Sequence, residues 1–134
     1  MHTEENSPEI VVQRQLDAFN ARNMDAWLAT YAHDARQFEL AGHLLAEGRD
    51  AIRARSAERF TEPNLYARLI NRKVMGQIVI DHEVVTRTFP EGPGKIELVC
   101  IYVLENAQIQ SATFHFGEKI IDPPSTFSPK LLSP

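Results

Sequence analysis

From Leu65 to Phe116 the chain reads LYARLINRKVMGQIVIDHEVVTRTFPEGPGKIELVCIYVLENAQIQSATFHF, and this stretch decides the fold. Its runs Leu65 to Met75, Ile78 to Phe89, Ile96 to Leu104 and Ile109 to Phe116 are rich in β-branched and aromatic residues, as strands are. They are separated by Met75-Gly76-Gln77, by Pro90 to Gly94 and by Glu105-Asn106-Ala107. Each break is short enough for a hairpin turn, so the segment predicts an antiparallel meander. In Leu98 to Leu104 both alternating faces are apolar, which predicts a central strand covered on both sides.

Upstream the pattern changes to a helical period. Ser7 is placed to cap a helix, Pro8 sits where its missing N–H costs nothing, and Glu9 suits the positive end of the dipole. Val12, Leu16 and Phe19 then form one apolar stripe, and the helix should stop between Asn20 and Asn23. A second helix is expected from about Met24 to Tyr31, burying Trp27, Leu28 and Tyr31. His33-Asp34-Ala35 reads as a turn into a short strand, Arg36 to Leu40. Gly42 and Gly48 bracket another extended piece, and Asp50 can cap a third helix, Ala51 to Phe60, with Ile52, Ser56 and Phe60 on one face. The fold class is therefore α+β. Those three helices would cover one side of the sheet, and a second copy of the chain the other, which predicts a homodimer through the outer sheet face.

The chain has 134 residues, 43% apolar and 24% charged, which suits one domain with a real core. The segment Asp122 to Pro134 holds four of the eight prolines and cannot join a sheet interior, although Phe127, Leu131 and Leu132 suit a docked tail. The net charge of −4 offers no basic surplus for binding nucleic acid or an anionic membrane. Cys100 is the only cysteine, so no intrachain disulfide forms. Met1 to Glu5 is polar and acidic, unlike a secretory signal, and the longest apolar run falls far short of the ~20 residues that span a bilayer. A cytoplasmic protein is expected.

Helices followed by a bent meander, with particular residues at the joints, resemble the nuclear transport factor 2-like superfamily, which includes ketosteroid isomerases and SnoaL-like polyketide cyclases. The residues that carry the likeness are Val11-Val12-Gln13-Arg14, Asn20-Ala21, Asp25, Ala32-His33-Asp34-Ala35 and Phe116-Gly117-Glu118-Lys119. The likeness runs over residues 1–121 and leaves 122–134 as a tail. It implies a cone-shaped, cystatin-like α+β roll of three N-terminal helices on a strongly curved antiparallel sheet, enclosing a ligand-sized pocket. In the isomerase branch a carboxylate on the first strand moves the proton, while a tyrosine and a protonated aspartate hold the oxyanion. Those positions match Glu39, Gln15 and Cys100. Gln15 can still donate through its amide, but a thiol is a weak donor. Loss of one oxyanion donor typically costs ~10²–10³ in rate, so the two changes argue against efficient steroid isomerisation.

Glu39 has two readings. Strand parity groups it with Gln37 against Phe38 and Leu40, so it is either a pocket base with a raised pKa or a solvent-facing edge glutamate. Trp27, Tyr31, Phe60, Tyr102, Phe114 and Phe116 are either pocket lining or ordinary core, readings that overlap in a cone fold. Cys100 has no basic neighbour in sequence and reads as an inert buried thiol. His33, His43, His82 and His115 lack metal-ligand spacing, and His115 should face away from Phe114 and Phe116. Arg49, Arg53, Arg55 and Arg59 read as a solvated helix face with ion pairs, or else as an anion-binding rim.

The reading that follows is an isomerase, cyclase or dehydratase with no metal or redox cofactor, working by proton transfer on a compact, largely apolar carbonyl compound. Its site residues are Glu39 as base and Gln15, Trp27, Tyr31, Phe60, Cys100, Tyr102 and Phe114 around the substrate. The rivals are a non-catalytic ligand-binding or dimerisation domain and a protein-binding adaptor, since fold does not fix function.

Overall fold

Ser7 caps the first helix, its Oγ accepting from the Ile10 N–H at 3.3 Å, and Pro8 opens α1, Pro8–Asn20. The computed structural model describes residues 6–124. Met1 to Glu5 and the tail residues Phe127, Leu131 and Leu132 lie outside them. Helix α2, Met24–Ala29, is capped by the Asn23 side chain. It is shorter than expected. Tyr31 opens strand β1, Tyr31–Glu39, so His33-Asp34-Ala35 is strand and not turn. The reason is tertiary: the Ile109 N–H bonds the Thr30 carbonyl at 2.8 Å, and pairing with a distant strand overrides the local turn signal.

Strand β2, Leu44–Glu47, pairs with β1. Helix α3, Arg49–Ser56, follows, and a 3₁₀ turn, Arg59–Thr61, takes the place of its expected last turn. Asp50 lies inside α3 and does not cap it. Gly48 precedes the helix at φ 86°, a left-handed value that favours glycine. Ile52, Ser56 and Phe60 are buried as expected.

The meander is present, and its last two strands are longer than the sequence suggested: β3 Tyr66–Met75, β4 Ile78–Phe89, β5 Gly92–Glu105 and β6 Gln108–Ile121. Two-residue turns join the strands, and Asn106 and Ala107 both take positive φ, as a type I′ hairpin turn requires. The sheet runs β2-β1-β6-β5-β4-β3. It is not wholly antiparallel, because β1 lies parallel to β6. A six-stranded curled sheet with three helices results, α1 contacting β3, β4 and β6 while α3 contacts β1 and β2.

The core gathers Val12 and Leu16 from α1, Trp27 and Leu28 from α2, and Val79, Tyr102 and Ile109 from the sheet. Strand β5 is interior, and the chain itself covers one of its faces. Leu98, Cys100, Tyr102 and Leu104 are buried, whereas Val99 and Ile101 are half-buried and Val103 is 38% exposed. Among the described residues no helix is long and apolar enough to cross a membrane.

Two acids interrupt the covered side of β4. Asp81 is fully buried and receives a two-pronged bond from Arg72, Nε to Oδ1 at 2.6 Å and Nη2 to Oδ2 at 2.9 Å. Arg72 Nη1 also donates to Gln13 Oε1 at 2.8 Å, so one guanidinium ties β3, β4 and α1. Removing one partner of a buried pair strands the other charge. Arg72→Met should cost roughly 3–5 kcal/mol in urea denaturation, and the double change Arg72→Met with Asp81→Leu should recover most of it.

Candidate functional site

A cavity of about 70 Å³ lies between the helices and the inner face of the sheet. Of the residues singled out from the sequence, Gln15, Trp27, Tyr31, Cys100, Tyr102 and Phe114 line it. Phe60 does not. It stands behind the lining, edge-on to Phe19 with centroids 5.3 Å apart and 5.2 Å from Trp27, and serves as core.

Glu39 also stands outside. Gln37 does turn inward and is 1% exposed, but the β1–β2 register shifts between Gln37 and Phe38, and Glu39 is the last strand residue before a turn. Its side chain is 49% exposed and meets His43 Nδ1 at 3.2 Å. The expectation of a base held in apolar surroundings on β1 is therefore not met. Solvent prevails there.

The carboxyl inside the cavity is Glu83, which the sequence reading passed over. It is 4% exposed, and among the described residues no hydrogen bond or ion pair holds it. Burial pushes its pKa up to about 7, the neighbouring Asp81 pushes the same way, and Arg72 opposes both. A signal was available: in Ile78-Val79-Ile80-Asp81-His82-Glu83-Val84-Val85, both acids share the parity of Val79 and Val85. Two acids on the apolar phase of a strand do not belong in ordinary core.

Polar groups opposite form two chains. Arg55 Nη1 donates to Gln37 Oε1 at 3.0 Å, and Gln37 Nε2 donates to the Tyr31 hydroxyl at 3.4 Å. The hydroxyl accepts there, which leaves its own hydrogen to point elsewhere. Burial raises the Tyr31 pKa, so the group stays a donor across the physiological range. Arg49 fixes the same residue from behind, giving Nε and Nη2 bonds to its carbonyl at 3.0 and 2.6 Å. In the second chain the Tyr102 hydroxyl donates to Gln15 Oε1 at 3.3 Å, so the Gln15 amide nitrogen is its donating end. Cys100 is buried beside Phe114 and Asp81 in register, and burial drives its thiol pKa well up, which suits packing and not attack.

The α3 arginines divide. Arg53 pairs with Asp25 at 2.7 Å on the surface, as a solvated face predicts. Arg55 lines the cavity, as does Arg59 just beyond the helix, so that prediction fails for these two. His115 sits beside Val99, turned away from the cavity.

A helix-flanked curled sheet around a largely aromatic and aliphatic cavity, with Glu83 its one carboxyl among the described residues, defines a small α+β pocket protein. The chain belongs to the SnoaL-like domain family, whose model matches residues 12–112. Solved structures agree with the nuclear transport factor 2-like resemblance. An NTF2-like protein of unknown function from Cytophaga hutchinsonii is 18% identical, with a TM-score of 0.70, covering 96% of this chain and 100% of its own. A putative polyketide cyclase from Sinorhizobium meliloti is 23% identical, with a TM-score of 0.65, covering 78% and 92%. A hypothetical protein with a ketosteroid isomerase-like fold from Catenulispora acidiphila, in complex with trimethylamine, is 18% identical, with a TM-score of 0.65, covering 81% and 85%. At these identities the likeness is one of fold. No curated protein matches the chain significantly.

Glu83 makes stability depend on pH with a definite sign. Its folded pKa of about 7 exceeds the ordinary value of 4.5, so the folded state keeps a proton that the unfolded chain has already released. Below both values there is no penalty; stability falls as pH rises between them, and the full loss of about 3 kcal/mol persists above. Glu83→Gln removes that loss. Its melting temperature should match the parent's in acid and exceed it by several degrees at about pH 8, measured by calorimetry.

Proposed function

We propose that the chain is an acid–base enzyme of the isomerase or cyclase type, acting on a compact carbonyl compound with Glu83 as the proton carrier. The observation that carries this reading is a carboxyl, 4% exposed and without an ion-pair partner among the described residues, facing an aromatic-lined cavity. A carboxyl that titrates near neutrality takes and returns a proton with little bias, which suits general acid–base work. In its ionised form Glu83 removes a proton from the carbon beside the carbonyl. The C–H electron pair becomes the new C=C bond and the carbonyl π pair moves onto oxygen. The Tyr31 hydroxyl donates to that oxygen, held in place by Gln37 and Arg49. Where a C=C lies beyond that carbon, the enolate is a dienolate, and Glu83 returns the proton to its far carbon, which shifts the double bond and completes an isomerisation with no co-reactant. The apolar lining from Trp27, Leu98 and Phe114 excludes water and strengthens each of these interactions.

The test is exchange of α-hydrogens in a panel of compact ketones in deuterated water, followed by NMR. The rate should rise with pH and level off above about 7, the pKa at which Glu83 ionises. Glu83→Gln should lower it ~10²–10⁴-fold, and Tyr31→Phe ~10²-fold. Glu39→Gln should leave it unchanged, and a loss there comparable to that of Glu83→Gln would return the base to β1.

A second reading concerns assembly. Ile78 and Val103, each 38% exposed, lie together on the outer sheet face with half-buried Ile80, Val99 and Ile101. We propose that a second copy of the chain covers this patch. Light scattering at micromolar concentration should give a dimer mass that Ile101→Lys halves, whereas a wild-type monomer refutes the pairing.

A further inference from the structure

The cavity is charged on one side in a way that proton transfer on a neutral ketone does not use. Arg55, Arg59 and Arg87 line it together with Glu83. Arg87 is neutralised by Glu62, with Nη2 to Oε2 at 2.8 Å. Among the described residues Arg55 donates to an amide oxygen, on Gln37, and lies over the Phe114 ring, 5.7 Å from its guanidinium carbon, with no ion-pair partner. Arg59 has no ion-pair partner among the described residues, and its Nε is buried with no acceptor at all. One other buried side-chain N–H shares that condition among the described residues, the Trp27 indole Nε1. Both groups are donors, and both belong to residues of the same cavity wall. Buried donors are nearly always satisfied, so an unfilled pair in one cavity marks where acceptors arrive from outside the protein.

We propose that the ligand carries a carboxylate: the cavity takes a compact oxo acid, its anionic end held by Arg59, Arg55 and the Trp27 N–H and its carbonyl toward Tyr31 and Glu83. A planar guanidinium presents paired donors that match a carboxylate, and the indole N–H supplies a further single donor. Two guanidinium groups with no ion-pair partner among the described residues line this cavity in a chain of net charge −4, so the positive charge here is concentrated locally. Burial, together with the charges of Arg87 and Arg55, lowers the Arg59 pKa to about 10, a strain that an incoming anion relieves. The cavity's modest volume of about 70 Å³ restricts the acid to a short skeleton. This inference rests on the cavity being the working site, but not on Glu83 acting as a base.

Binding decides it without turnover. The probes are levulinate and benzoate, each set against its own amide, with affinity measured by calorimetry and saturation-transfer NMR. Each carboxylate should bind wild type at least about tenfold more tightly than its amide, the scale of a charge-assisted hydrogen bond. Arg59→Gln should erase that preference, and Arg59→Lys should restore part of it. Arg53→Gln, at the surface pair with Asp25, should change nothing. Glu83→Gln should preserve carboxylate binding or tighten it, since it removes a competing negative charge while abolishing α-hydrogen exchange. Equal binding of acid and amide overturns the proposal, as does a failure of either carboxylate to bind wild type at millimolar concentration. Survival of the preference in both Arg59→Gln and Arg55→Gln also overturns it. The comparison of acid with amide needs no variant, so misfolding of one cannot blunt it. Loss of exchange in Glu83→Gln without any carboxylate preference would sink this inference and leave the proton-transfer reading standing.

Discussion

The structure turns on how β4 buries two carboxyls two residues apart. Asp81 and Glu83 share one face of the strand, both almost without solvent, and the protein treats them differently. Asp81 receives a bidentate guanidinium that also grips Gln13, so its charge is compensated and becomes a structural tie between helix and sheet. Among the described residues Glu83 receives no such partner. Burial and the nearby Asp81 both favour its protonated form, and Arg72 is already engaged with Asp81. One arginine cannot neutralise two acids, and the unserved one is left titrating near neutrality in front of a cavity. Such unbalanced burial costs stability and is the kind of local conflict that functional sites carry.

Other features of the site follow from sheet geometry. The parallel β1–β6 pairing brings Gln37 level with Ala112, and Ala112 is level with Tyr102 across the β5–β6 ladder. This row sets the first strand's amide near the hydroxyls of the cavity, and small Ala112 leaves room between them. One row further, Glu39 is level with Phe114 and Phe114 with Cys100. There β1 ends and the chain turns away, so parity points Glu39 inward while the end of the strand leaves it in water. Parity fixes a direction. Depth depends on where neighbouring elements stop.

Much of the fold was legible because its signals are local. The Ser7-Pro8-Glu9 helix start, the strand runs after Leu65 and the Asn106-Ala107 turn each act within a few residues. Tyr31 and His33-Asp34-Ala35 were misread because their conformation is decided by β6, roughly eighty residues away in sequence, through pairing that no local pattern reports. The site was half legible for the same reason. Aromatic and amide groups on apolar phases announce themselves, and six of eight candidates line the cavity. The isomerase resemblance points to the β1 carboxylate, whereas the pattern of β4 holds two acids in core positions. Arg55 and Arg59 were hidden by their neighbours: among several charges on a short helix, spacing alone does not separate a surface ion pair from a cavity wall.

The resemblance also shows what has moved. In the isomerase branch a first-strand carboxylate moves the proton and a separate protonated acid on a later strand holds the oxyanion. Here the later-strand position is Cys100, and the acid stands one strand over, on β4. The first-strand carboxylate has gone to solvent. In the proposed reaction Glu83 is the base and cannot also be the permanent donor, so on that reading the donor role falls to a group that never ionises in the working range. Tyr31 fits that division, because burial keeps its proton in place while Gln37 occupies a lone pair and orients the hydroxyl. On the proposed reading the two roles are separated by their titration ranges, since burial raises the Glu83 pKa to about 7 and raises that of Tyr31 beyond the physiological range. Two groups whose environments drive their pKa values apart are what acid–base chemistry in one small cavity requires.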